Sequence, residues 1–130
     1  MTTDRSQGPL VRALFEGYGR GDADAVREAL SPDLVAYVTT AGGGADRVEG
    51  RDAYLDRLPD LRAAGGSVTV TQVLEVDEAL VMAMVEIRAE RGGDRLHNHA
   101  AFLARIDRGL ITHLWVVEAL PAHSDEFWSS

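Results

Sequence analysis

The sequence predicts an α+β fold in which a strongly curved, mainly antiparallel sheet wraps three helices of the N-terminal half around one apolar pocket. Three observations predict it. Apolar residues of the first half recur at helical spacing, those of the second half alternate at strand spacing, and glycine turns join the later strands into a meander. Helices followed by a run of strands, rather than alternating with them, cover one face of a sheet, and the sheet must curl to enclose them.

Leu10, Val11, Leu14, Phe15 and Tyr18 form the stripe of a first helix, which Gly19 to Gly21 ends. Asp22 is placed to cap a second, short helix through Ala25, Val26, Ala29 and Leu30, closed by Pro32. Leu34 to Thr40 reads as a strand and Ala41 to Ala45, with three glycines, as a flexible turn. That glycine run lacks the lysine and the setting of a phosphate loop, and reads better as a mobile flap over the pocket mouth. From Arg51 to Ala64, Tyr54, Leu55, Leu58 and Leu61 share a helical stripe that Pro59 should break or kink. Val68 to Val76 alternates loosely. Leu80 to Glu90 alternates cleanly, with Val81, Ala83, Val85, Ile87 and Ala89 opposed to Met82, Met84, Glu86, Arg88 and Glu90. Gly92-Gly93-Asp94 turns the chain into Arg95 to Asp107, and Gly109 turns it into Leu110 to Leu120.

Length and composition set the bounds. The 130 residues fit a single domain, 1–130, able to bury a core without metals or disulfides. Cysteine is absent, which removes thiol nucleophiles and thiolate metal sites. All thirteen basic residues are arginine, so a Schiff base on a lysine is excluded. A formal charge of −8 disfavours nucleic acid and anionic membrane surfaces. The N-terminus lacks the apolar stretch of a signal peptide, and no apolar run approaches the roughly 18 residues of a membrane span. A cytoplasmic protein is expected.

Several stretches carry a family likeness. The segments YGRGDADAVREALSPDLVAYV, VEGRDAYLDRL and ARIDRGLITHLWVV, with the ending SDEFW, follow one another in the order helix, helix, strand, helix, long strands. In that order and spacing the chain resembles the nuclear transport factor 2-like superfamily, which includes ketosteroid isomerase, limonene-epoxide hydrolase and the SnoaL-like polyketide cyclases. The resemblance implies a cone-shaped barrel of mixed, mainly antiparallel sheet whose mouth admits a hydrophobic ligand, and whose floor carries the acids and phenols that differ between activities. Carried over, the tyrosine that ketosteroid isomerase holds on its first helix falls on Leu14. Its general base falls on Val38 and its protonated acid on Phe102, and the last-strand aspartate of the cyclases and the epoxide hydrolase falls on Val116. All four are apolar, and an apolar side chain neither takes a proton nor stabilises an oxyanion. The usual isomerase and epoxide hydrolase constellations are therefore missing.

The polar candidates are few. With Phe102 inward, strand alternation turns Asn98, Ala100 and Ala104 inward and His97, His99 and Leu103 outward; with Val116 inward, Leu114 and Glu118 follow, and His113, Trp115 and Val117 face out. Asn98 could donate to a substrate carbonyl, and Glu118 at the mouth of a greasy cone could serve as acid or base. Tyr37 and Tyr18 offer phenols. These readings name Tyr37, Asn98 and Glu118 as catalytic candidates, and Leu14, Tyr18, Val38, Tyr54, Leu58, Phe102, Leu114 and Val116 as the substrate-binding wall. His97 and His99 share a strand face but show no evident third ligand, so neither a metal nor a cofactor is expected. Met82, Met84 and Trp115 form an outward apolar set, and with the resemblance they point to a homodimer through the convex sheet face. The expected partner is a hydrophobic small molecule. Its chemistry is either cyclisation or isomerisation of a polyketide-like or terpenoid substrate, non-catalytic binding in the family pocket, or epoxide hydrolysis or dehydration by a rearranged acid pair.

Overall fold

The computed structural model describes residues 7–129. It opens with α1 (Gln7–Arg20) and α2 (Ala23–Ala29), whose buried residues Val11, Leu14, Phe15, Val26 and Ala29 realise the expected stripes. Gly17 lets the two helices touch, since a Cβ there would lie 2.9 Å from that of Ala25. Asp22 caps α2 as expected, accepting from the Ala25 N–H at 3.1 Å. Leu30 leaves the helix and begins β1 (Leu30–Thr39), earlier than the sequence suggests. Pro32 sits inside β1, where the pairing register shifts between Leu30 and Val35, because proline has no N–H for a ladder.

A hairpin turn leads to β2 (Ala45–Glu49), held by the Thr40 N–H donating to the Gly44 carbonyl at 3.0 Å. This strand is additional to those expected. Asp46, Arg47 and Glu49 give it no hydrophobic period, and only Val48 is buried. α3 (Arg51–Arg57) stops ahead of Pro59 as predicted, and the chain continues through Leu58 to a 3₁₀ turn at Arg62–Ala64.

The meander follows: β3 (Ser67–Glu75), β4 (Leu80–Arg91), β5 (Asp94–Asp107) and β6 (Leu110–Glu118). The six strands form one mixed sheet in the order β2-β1-β6-β5-β4-β3, with β1 and β6 parallel and the other neighbours antiparallel. The curved mixed sheet around the helices is the expected one, and it stays open along one side. β2 and β3 end the sheet without pairing to each other, and α1 packs against β3 instead. Gly92 and Gly93, with φ of 59° and 88°, make a two-residue turn whose twist matches that of the flanking strands and fixes the long β4–β5 register.

Alternation then sorts the sheet into two faces. Val81, Ala83, Val85, Ala100, Ala104, Ile111, Leu114 and Val116 bury themselves on the concave face, whereas Met82, Met84 and Val117 are exposed on the convex one. After β6 a fourth helix, α4 (Pro121–Ser129), folds back, and Phe127 joins Ala64, Ala89 and Leu96 in a second small core. Among the described residues no helix is long and apolar enough to cross a membrane.

Candidate functional site

The concave face, α3, the loop after it and α4 enclose a cavity of about 480 Å³. Val38, Phe102 and Val116, from three neighbouring strands, form its apolar floor together with Ala100 and Ile87. Leu58, Pro59 and Leu61 wall it from the loop, and Trp128 closes it from α4. Of the four positions onto which the resemblance carries the isomerase and cyclase residues, Val38, Phe102 and Val116 are thus apolar cavity wall, and Leu14 is not. The packing of Phe15 edge-on against Phe102, with centroids 4.7 Å apart, places α1 so that Leu14 enters the core.

Glu118, Thr39, Tyr54 and Tyr18 are four polar groups that break the apolar lining from the inner side. Glu118 ends β6, opposite Ala100 of β5, and its carboxylate reaches the cavity. Asn98 lies two residues from Ala100 on the same face and is fully buried; its amide nitrogen donates to Glu118 Oε1 at 3.0 Å. Its carbonyl oxygen accepts from the backbone N–H of Leu120 at 3.0 Å and of His99 at 2.9 Å, which ties the end of β6 to β5 just where the ladder stops. Thr39 accepts from the Glu118 N–H at 3.2 Å. Two side chains therefore grip the strand end that presents the carboxylate.

The other two groups are phenols. Tyr54, from α3, lines the cavity yet is almost wholly buried. Burial pushes its ionisation far up, the guanidinium of Arg57 opposes this, and the carboxylate of Glu118 adds to it. Tyr18, from α1, donates to the Pro59 carbonyl at 2.7 Å; burial is again the main cause that raises its ionisation, followed by Tyr54 and Asp60. Both phenols keep their protons throughout the neutral range. Arg57, Asp60 and Arg91 also line the cavity, with Arg57 paired to Asp46 at 3.2 Å and Arg91 donating to the Phe127 carbonyl at 2.9 Å.

The structure brings together six of the eight residues expected to bind substrate: Tyr18, Val38, Tyr54, Leu58, Phe102 and Val116. Leu14 and Leu114 belong to the core behind the cavity. Of the catalytic candidates, only Glu118 reaches the cavity. Asn98 faces inward as expected but lies buried behind Glu118, where it positions the carboxylate and does not line the wall. Tyr37 is on the wrong face. It pairs with Trp115 across the parallel β1–β6 ladder and stacks on that indole, with centroids 5.9 Å apart, while its neighbour Val38 turns into the cavity. The glycines at 42–44 form a hairpin turn rather than a flap, and none of them lines the cavity. The sequence reading missed Trp128 and Ser124 because it missed α4, and missed Thr39 because the alternation of β1 is lost at its end. Proline at the first position of a helix was the available signal for α4.

The two histidines face outward as predicted, but the view that they lack a third ligand is corrected. Glu86 of β4 stands opposite His99, with one carboxylate oxygen 3.3 Å from His97 Nε2.

The model of the SnoaL-like domain family matches residues 11–114. The chain belongs to the SnoaL-like family. An uncharacterized protein of Mycobacterium tuberculosis is 33% identical, over 98% of this chain and 99% of its own length. Among solved structures, Bal32a from a soil-derived mobile gene cassette superposes with a TM-score of 0.83 at 20% identity, covering 96% of this chain and 98% of its own. A proposed SnoaL-like polyketide cyclase from Jannaschia sp. CCS1 superposes with a TM-score of 0.75 at 16% identity, covering 100% of this chain and 97% of its own. The SnoaL-like cone is thus the shared feature.

Proposed function

We propose that this SnoaL-like protein is an enzyme that moves a proton on a hydrophobic, carbonyl-bearing substrate of polyketide or terpenoid kind, driving an isomerisation or a cyclisation. The observation that carries this reading is the Glu118 carboxylate, held by the buried Asn98 amide beside the protonated Tyr54 phenol, above the apolar floor of Val38, Phe102 and Val116. The cavity lies within the roughly 300–1,000 Å³ usual for small-molecule sites. Its apolar floor fits a greasy ring system or a folded chain, and holding such a chain in a reactive shape is itself a catalytic contribution.

In the step this arrangement supports, Glu118 accepts the proton from the carbon next to a substrate carbonyl. The C–H electron pair becomes the enolate double bond, and the charge on oxygen is stabilised by a hydrogen bond from the Tyr54 hydroxyl. In an isomerisation Glu118 returns the proton at another carbon. In a cyclisation the enolate carbon attacks a second carbonyl of the same molecule, and the new alkoxide takes the proton. The base and the donor come from β6 and α3, in place of the apolar β1 and β5 positions.

The test is exchange of the α-protons of a hydrophobic β-diketone in D₂O, followed by NMR. Wild type is expected to accelerate exchange. Glu118→Gln should lower the rate about 100-fold or more, and Tyr54→Phe by a further comparable factor if the phenol holds the oxyanion. Binding of the diketone without acceleration, or acceleration that survives Glu118→Gln, overturns the proposal; the first outcome leaves a non-catalytic binding pocket.

A further inference from the structure

A second group of chemically competent side chains lies on the convex face, across the sheet from the cavity. The two-residue turn at Gly92-Gly93 sets Glu86 directly opposite His99 and Arg88 opposite His97. His97 and His99, two apart on β5, point to the same side. Their rings lie 4.9 Å apart between centroids, and His97 Nε2 is 3.3 Å from Glu86 Oε2. One donor atom from each of the three residues falls within 4.8 Å of the others.

These spacings suit one ion. Donors about 2.1 Å from a tetrahedral zinc stand about 3.4 Å apart, so Glu86 and His97 already have the separation of two ligands. The third donor needs a shift of at most about 1.4 Å, which the exposed rings can make by rotating about their side-chain bonds. Two imidazoles and a carboxylate are a borderline donor set that selects zinc, nickel or copper over magnesium and calcium. Arg88 donates to the other oxygen of Glu86, Oε1, at 3.0 Å, and so fixes the carboxylate while leaving Oε2 to the ion.

We propose that Glu86, His97 and His99 form a surface site for a zinc-class divalent cation, with water in the fourth position. The site shares no residue with the cavity and stands whether or not the chain is an enzyme.

Zinc chloride titrated calorimetrically into the untagged, chelator-stripped full chain is expected to bind one ion per chain at micromolar concentrations. His97→Ala with His99→Ala should abolish the isotherm, and Glu86→Gln should weaken it about tenfold. His113→Ala with His123→Ala, which changes the remaining two histidines, should leave it in place. Cobalt(II) gives a second readout through the visible absorption of a tetrahedral complex, which should be present in wild type and lost in the double histidine variant. Since His97 and His99 are solvent-exposed, that variant should keep the wild-type far-ultraviolet spectrum. Absence of zinc binding in wild type, binding that survives loss of both histidines, or an affinity unchanged by Glu86→Gln overturns the three-ligand site.

Discussion

Asn98 and Tyr54 show how a side chain that never meets solvent governs one that does. A buried amide must find partners for its donors and its acceptor, and Asn98 finds them in Glu118 and in the backbone of Leu120, so its burial fixes the direction of the carboxylate. That the residue faces inward was legible from strand alternation. Its partner was not, because Glu118 lies twenty residues further on and meets it only through the β5–β6 register. Strand alternation also accounts for Tyr37: once Val38 faces the cavity, its neighbour on the strand must face away. For Tyr18 and Tyr54 the folded state raises the phenol ionisation above its ordinary value of 10.0. Their contribution to stability is therefore complete below about pH 10 and is lost as the pH rises beyond it, since only the unfolded chain then releases these protons. In a Tyr37→Phe background, where only these two phenols report, tyrosinate absorbance should rise only together with loss of the far-ultraviolet dichroism. Ionisation near pH 10 in a chain that remains folded would contradict the burial of both.

The turns decided how much of each element could be read. Gly92-Gly93 announces a two-residue hairpin, and such a hairpin dictates every pair along β4 and β5, so the meeting of Glu86 with His99 is legible in the sequence. β2 was hidden by its charged alternate residues. α4 is a nine-residue helix whose packing against β5, rather than its own pattern, holds it in place. The β5–β6 turn gives a testable case. Both its central residues have positive φ, 55° at Arg108 and 78° at Gly109, and the first is the non-glycine exception among the described residues. An L side chain in that region costs about 1 kcal/mol. Arg108→Gly is expected to be neutral or to stabilise by up to about 1 kcal/mol, whereas Gly109→Ala should destabilise by about that amount. Urea unfolding of the two variants measures both, and a reversed order of stability would rule out the strained turn.

Across the whole molecule, one sheet serves two surfaces. The apolar lining of the concave side was legible as a set of inward positions, while the cavity itself depends on the loop after α3 and on α4, which the pattern of apolar residues does not fix. The convex side leaves Met84 and Val117 at 41% and 55% exposure, close to the Tyr37–Trp115 stack. We propose that two copies pair through this face, which would remove that apolar area from water. Light scattering on the wild-type chain should then give twice the 14.1 kDa chain mass, and Met84→Glu with Val117→Glu should give a monomer; a monomeric wild type excludes the pairing. The loop from Leu58 to Ala64 supplies much of the cavity wall and is fastened to α1 by the bond from the Tyr18 hydroxyl to the Pro59 carbonyl. For an occupant that leaves that bond intact, the bond contributes equally to the empty and the filled cavity and cancels from affinity. Where this loop is the part that opens, the bond acts on time alone, slowing arrival and departure by the same factor and lengthening the stay of whatever the cavity has captured.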